Sequence, residues 1–453
     1  MSSPAIVVSI CMTTTTTPET TTIAVETPSH LTHQLDDDAR LRRRLLPLYL
    51  AAAFGGLSLW VPVEKLFLSN IGFDAASIGI MAAAYAAVVP ILEIPSGILA
   101  DRWSRRGVLI IANVALAASA VVGGLSTSVA MYMVAALLLG VFFALQSGTA
   151  DSIIYDTLME ETGRSEGFER SLGRLHLWQG VALVCSALAG AGLAAATSPR
   201  VTYFVTAPFV LASIPALLAF KEPRLHRVED PEPIRAQVAT TYRILLERGR
   251  LRPVIATMVM TALLLQALLE FGPLWMLALA APTMLFGAHW AGLMSALGLG
   301  GLLSGRTSLT RPRTLWAVVV AMLGCSLVVA TSHQVVAVIA AQVGLALLLV
   351  IVGAFLSRLF HDEIPSTIRA GVSSGVGTLT WAAFLPFALA FGFVTRRSGV
   401  HTAAWMMVAV TAMASVSLVH LATSRRVEAS VADRCVALPR EPLSTLVPTL
   451  VDA

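Results

Sequence analysis

Charge is the scarcest commodity in this chain. Of 453 residues only 13% are Asp, Glu, Lys or Arg, against 56% hydrophobic ones, where a soluble domain carries about 25% charged residues. A soluble protein of this length needs far more polar surface. Cysteine is sparse too. Cys11 and Cys435 fall in tails and Cys185 and Cys325 in apolar runs, so no disulfide framework follows. The sequence has no metal-ligand spacing, no Gly-rich Lys-Ser/Thr loop for nucleotide phosphates and no nucleophile–base pair. These absences argue against a cofactor, a metal site, nucleic-acid binding, direct use of ATP and membrane-enzyme chemistry. Lysine is nearly missing, with 2 Lys beside 29 Arg. That usage, with abundant Ala, Val and Leu, resembles a high-GC bacterium and favours a cytoplasmic-membrane location.

What is present is apolar sequence in lengths of roughly 20 residues, enough to cross a bilayer as a helix. The mean hydropathy is +0.77. Twelve spans are predicted, at 45–68, 73–99, 107–125, 129–154, 171–196 and 201–220, then 253–280, 286–304, 314–331, 334–360, 371–394 and 400–423. The expected class is an all-α membrane protein, its twelve helices in two pseudo-symmetric six-helix bundles, 45–220 and 253–423. A charged, proline-containing linker, 221–252, joins them. Residues 1–44 read as a disordered tail and 424–453 as a second tail. The Thr-rich start lacks the basic region of a signal peptide. With the N-terminus assigned to the cytoplasm, 27 of the 31 basic residues fall on that side, leaving only Lys65, Arg200, Arg396 and Arg397 outside. The positive-inside rule then predicts a multi-pass protein with both termini cytoplasmic.

The end of the second span reads "EIPSGILADRWSRRG". Glu93, Gly97 and Asp101 are four apart and share a helix face. Gly97 would admit a close neighbour, and Asp101 could face that neighbour's positive N-terminus. Glu93, about 12 Å further along the helix, reads either as a cavity carboxylate or as part of the packing stripe. The segment "GILADRWSRR" resembles the signature Gly-x-x-x-Asp-Arg-x-Gly-Arg-Arg of the major facilitator superfamily, in the loop between spans 2 and 3, with Ser104 in place of Gly. The resemblance implies a transporter of twelve spans, with span 11, from "STIRAG", as the neighbour of Asp101. Arg102, Arg105 and Arg106 would latch the two halves; the alternative is a loop that only fixes topology. "EIPSG" paired with "SGTADSIIYDTL" in span 4 resembles one branch of that superfamily. Asp151 and Asp156 would then pair with Arg102, Arg106 or Arg174, or be a solvated helix end. The drug-efflux-like branch is expected, although the span 4 arginine and span 5 Gly-Pro of many drug/proton antiporters are absent.

The halves echo each other at spans 1 and 7. "LWVPVEKLF" holds Trp60, Pro62 and Glu64, and "LLEFGPLWM" holds Glu270, Pro273 and Trp275. Paired broken segments point to a substrate path, and each proline frees a backbone carbonyl. A buried carboxylate needs a partner or a proton. Glu270, with no basic neighbour in sequence, is the first candidate for proton coupling or cation binding, the alternative being a hydrogen-bonded structural Glu. Glu64, beside Lys65, reads as a coupling group or as an interfacial one. Trp60, Trp275, Trp381, Gln146 and Gln266 are cavity candidates, set against interface anchoring for Trp and interhelical hydrogen bonding for Gln. The expected function is proton-coupled, alternating-access efflux of a lipophilic or cationic small molecule by a monomer in the lipid bilayer. Nutrient uptake and a non-transporting sensor are the alternatives.

Overall fold

A computed structural model describes residues 28–146, 149–163, 167–223, 251–363 and 369–437, without the side chains of 28–39, 94, 98, 101, 362–363, 369–374 and 425–437. Twelve helices in it are long and apolar enough to cross a membrane: span 1 (Arg40–Asn70), span 2 (Ala75–Glu93), span 3 (Arg105–Leu125), span 4 (Val129–Thr162), span 5 (Phe168–Ala196), span 6 (Pro199–Ala219), span 7 (Arg252–Ala278), span 8 (Thr283–Ser304), span 9 (Pro312–Thr331), span 10 (Val335–His361), span 11 (Gly375–Ser398) and span 12 (Val400–Ser424). No strand occurs among the described residues. Most of the linker, 224–250, lies outside them.

The pairing of the spans repeats with a shift of six. Span 1 packs on spans 5 and 6, span 2 on span 4, and span 3 on spans 4 and 6; span 7 packs on spans 11 and 12, span 8 on span 10, and span 9 on spans 10 and 12. The halves meet along two seams, spans 2 with 11 and spans 5 with 8, which the same shift exchanges. This is the pseudo-symmetric pair of six-helix bundles that the hydropathy predicts.

Two expected tails are partly helical. The first helix runs Pro28–Gly56 and the last Val400–Ala437, so 28–44 and 424–437 extend spans 1 and 12. Neither stretch holds a Gly or Pro after Pro28, and nothing local stops the helix.

Local chemistry sets the other boundaries. Asp74 caps span 2, accepting from the Ser77 N–H at 2.8 Å while the Ser77 hydroxyl accepts from the Asp74 N–H at 2.8 Å. Ser104, the departure from the signature, is the cap of span 3: its hydroxyl accepts from Gly107 N at 2.9 Å. Spans 1 and 7 are broken, as their prolines predict. Span 1 passes from Gly56 through a tight turn at Val61–Val63 into Glu64–Asn70, and span 7 passes from Phe271 to Pro273–Ala278.

The seams close at one end only. At the end holding Asp74, a Cβ placed on Gly79 would lie 2.5 Å from the Ala388 carbonyl oxygen and 3.0 Å from Gly392 Cα, and one on Gly287 would lie 2.5 Å from Ala191 Cβ. Only glycine lets these backbones approach so closely. Gly97 lies about five turns beyond Gly79 and Gly298 about three beyond Gly287, each on the same face as its counterpart. A Cβ at either would meet nothing within 4 Å. The halves touch at the Asp74 end and part toward the arginine-rich one.

Candidate functional site: a buried ion triad between the halves

The two breaks bring their acids together. Glu64 opens the second piece of span 1, and Glu270 sits one residue before the break in span 7. Between them lies Lys65, only 2% exposed. Its Nζ donates to Glu64 Oε2 and to Glu270 Oε1, both at 2.6 Å. One ammonium therefore bridges a carboxylate from each half.

Tyrosines and a glutamine extend the triad. The Tyr85 hydroxyl of span 2 donates to Glu270 Oε2 at 2.5 Å and accepts from Gln266 Nε2 at 3.3 Å. Gln266 and Glu270 are four apart on one face of span 7, so both reach it. On the other side the Tyr132 hydroxyl of span 4 donates to Glu64 Oε1 at 2.8 Å. Its single proton is then spent, so Tyr203 of span 6 must be the donor in the 2.9 Å contact between the two tyrosines. A continuous polar chain thus runs Gln266–Tyr85–Glu270–Lys65–Glu64–Tyr132–Tyr203 through an otherwise apolar junction. Aromatic rings enclose it. Trp60 stacks on Tyr203 at 5.1 Å between centroids, Phe67 lies 4.8 Å from Tyr203, Phe73 meets Tyr132 edge-on at 5.6 Å, and Arg200 sits over Phe67 at 5.2 Å. At the rim, Asp74 pairs with Arg396 of span 11 at 3.1 Å, both half exposed.

Several expectations change. Lys65 does not hold Glu64 at an interface; it is buried, and it supplies the basic partner that Glu270 lacks in sequence. Trp275 is fully buried, its indole N–H donating to the Val329 carbonyl at 2.8 Å. Trp60 is buried too, while Trp381 stands half-buried and edge-on to Tyr85 at 6.4 Å. Gln266 joins the network. Gln146, half-buried at the end of Val129–Gln146, does not. Glu93 is half-buried about two turns beyond Tyr85 on span 2 and stays outside the triad.

The loop after span 2 also differs. Gly97 has no described residue within 4 Å of where a Cβ would stand; the Asp101 side chain and the segment "STIRAG" expected to face it lie outside the described residues. Arg102 is exposed. Arg105 pairs with Asp156 of span 4, and Arg106 donates to the Phe220 carbonyl at 3.0 Å. Glu222 accepts from Ser104 Oγ and Arg105 N, both at 2.6 Å. These contacts bind the first half to itself rather than latching it to the second. The partner of Asp156 is therefore Arg105, not Arg102, Arg106 or Arg174. Asp151 is exposed and forms no ion pair among the described residues.

Residues 45–369 match the family profile described as Major Facilitator Superfamily. The chain belongs to the major facilitator superfamily. No curated protein sequence matches it. Solved structures share its fold. A mutant of the nucleoside transporter NupG has TM-score 0.70 at 13% identity over 83% of this chain and 99% of its own. A bacterial homolog of the human lysosomal transporter Spinster, in an inward-facing and unoccupied conformation, has TM-score 0.69 at 14% identity over 86% and 98%. A D-xylose-proton symporter has TM-score 0.61 at 15% identity over 83% and 97%. This superfamily member is thus a multi-pass membrane protein with the fold of those transporters.

The sequence reading missed Lys65, Tyr85, Tyr132 and Tyr203. A signal existed: with two lysines and six tyrosines in 453 residues, a Lys and three Tyr inside apolar runs are conspicuous, and a polar group in a membrane span is costly unless used.

Proposed function

We propose that this protein is a proton-coupled secondary transporter working by alternating access, and that the Glu64–Lys65–Glu270 triad with its tyrosines is the gate at its outer end. The observation that carries the reading is the single ammonium held at 2.6 Å by a carboxylate from each half, at the end where both seams are closed. The parted end carries Arg102, Arg105, Arg106, Arg170 and Arg174, and the positive-inside rule supports that side being cytoplasmic. The chain is then closed outward and open inward, in keeping with the inward-facing Spinster homolog.

The triad carries one negative charge in excess when all three groups are ionised. A proton on either carboxylate neutralises it and loosens one arm of the bridge. Buried ion pairs contribute little net stability because desolvation offsets attraction, so a gate made of one opens at modest cost. Export of a lipophilic or cationic small molecule fits the apolar spans and the few acids. Measuring accumulation of a lipophilic cation in an efflux-deficient host tests it. Accumulation should fall with the wild type and not with Glu270→Gln; equal accumulation with and without the wild type would sink export. A second reading, uptake of a small polar metabolite, is favoured by the xylose–proton symporter among the similar folds. Proton-dependent entry of pentoses or nucleosides into proteoliposomes would establish it instead.

A further inference from the structure

At the arginine-rich end, spans 1, 4 and 5 leave a small pocket that the transport reading does not use. Span 1 contributes Leu41, Arg42, Leu45 and Tyr49, span 4 contributes Leu158 and Thr162, and span 5 contributes Arg170, Ser171 and Arg174, with Gly167 at its mouth. Gly167, Arg170, Ser171 and Arg174 are spaced as one face over two turns of helix.

Three features give this pocket a chemistry. Arg42, Arg170 and Arg174 form no ion pair with any described residue, although Arg44, two residues from Arg42, pairs with Glu160 and Glu161. Among the described residues, then, no carboxylate pairs with the arginines that line the pocket. The Tyr49 hydroxyl, in a residue 5% exposed, has no partner at full hydrogen-bond geometry; its polar neighbours are the Ser171 hydroxyl and the Arg174 guanidinium. A buried hydroxyl left so is unusual. Span 5 begins at Gly167, in the left-handed conformation at φ +97° and with no side chain to cap it, so its first N–H groups remain available. Glu169, in that first turn, is exposed and does not line the pocket.

We propose that this pocket binds a phosphate group. Guanidinium forks match phosphate oxygens in pairs, the Tyr49 hydroxyl donates to a further oxygen, and the amides at the start of span 5 complete the cradle. The apolar floor of Leu41, Leu45 and Leu158 suits the glycerol end of a phospholipid whose headgroup enters from the leaflet at this end of the bundle. Free phosphate satisfies the same donors, and the experiment separates the two sources.

Full-length protein stripped of lipid is incubated with phosphatidylglycerol vesicles, or with vesicles of a galactolipid lacking phosphate, and retained lipid is counted by native mass spectrometry. In parallel, inorganic phosphate is titrated into the detergent-solubilised protein and Tm is followed. Phosphatidylglycerol retention should exceed galactolipid retention, fall about tenfold in Arg42→Gln/Arg174→Gln, and fall several-fold in Tyr49→Phe, which keeps the ring packing. Phosphate raising Tm in the wild type and not in these variants would assign the pocket to the free ion. Equal retention of the two lipids with no response to phosphate, or variants that behave as the wild type in both arms, would overturn the proposal.

Discussion

If Lys65 bridges the halves, removing its charge should open the end it closes. In Lys65→Met the methionine fills a similar volume, but two carboxylates that shared one ammonium at 2.6 Å are left facing each other in a buried site. Removing one partner of a buried ion pair costs about 3–5 kcal/mol, which shifts a two-state equilibrium by roughly two to three and a half orders of magnitude. Glu270→Gln is milder, because the amide oxygen still accepts from Lys65, the amide N–H can donate to the Tyr85 hydroxyl once that turns, and Glu64 still neutralises the ammonium; about 1–3 kcal/mol is expected. Spin labels at the exposed positions Ser69 and Ser398, after replacement of the native cysteines, would read the separation of the two halves at this end. Lys65→Met should show the long-distance population dominating at pH 8. Acidification should restore the short one, since a proton between the carboxylates replaces repulsion by a hydrogen bond. A distance distribution identical to wild type at pH 8 and indifferent to acid would refute the assignment of the triad as a gate.

Three further outcomes are expected. Gly79→Val places a Cβ 2.5 Å from the Ala388 carbonyl, so the closed seam must part at about 1–3 kcal/mol; the same spin-label pair should lengthen. Gly97→Val meets no described residue within 4 Å in this state and should leave Tm unchanged, yet slow transport if spans 2 and 11 close there in the opposite state; unchanged transport would mean that they do not. Asp74→Ala should cost about 1 kcal/mol by loss of the cap. The Ser77 N–H, with Arg396 nearby, holds the Asp74 carboxyl below its ordinary range. Its contribution is therefore complete at neutral pH and fades only as the pH falls through that lowered value, so wild type and variant should converge in thermal unfolding only in acid.

The fold was legible because it rests on long-range averages. Twelve runs of bilayer length, a charged break between the sixth and seventh, and one-sided arginines each summarise many residues, and no single misreading changes them. The breaks in spans 1 and 7 were legible for a local reason, since proline removes a helix donor wherever it stands. The site was only half legible. Glu64 and Glu270 stood out as acids in apolar runs, but what each does depends on a partner, and the partner of Glu270 lies 205 residues away at Lys65. Adjacency misled in the same way: Lys65 beside Glu64 suggested a wet interface, while its long stem carries the ammonium across to the other half.

Trp275 and Arg105 show how far a residue's use depends on its packing. A residue type announces what a side chain can do, and the packing around it decides whether it does so. Trp275 occupies the place in span 7 that Trp60 occupies in span 1, yet one is sealed in the core by a bond to Val329 and the other stacks over the tyrosine chain. The loop arginines carry the family's signature, yet with the seam parted Arg105 turns to Asp156 in its own half. A motif shaped for the state in which the halves close at its end has no cross-half contact to make in the state where they stand apart. The triad at the opposite end is the complement. On the proposed alternating-access reading it is made when the loop's cross-half contact is unmade, and a variant that weakens the triad should then strengthen whatever contact the loop makes when it closes.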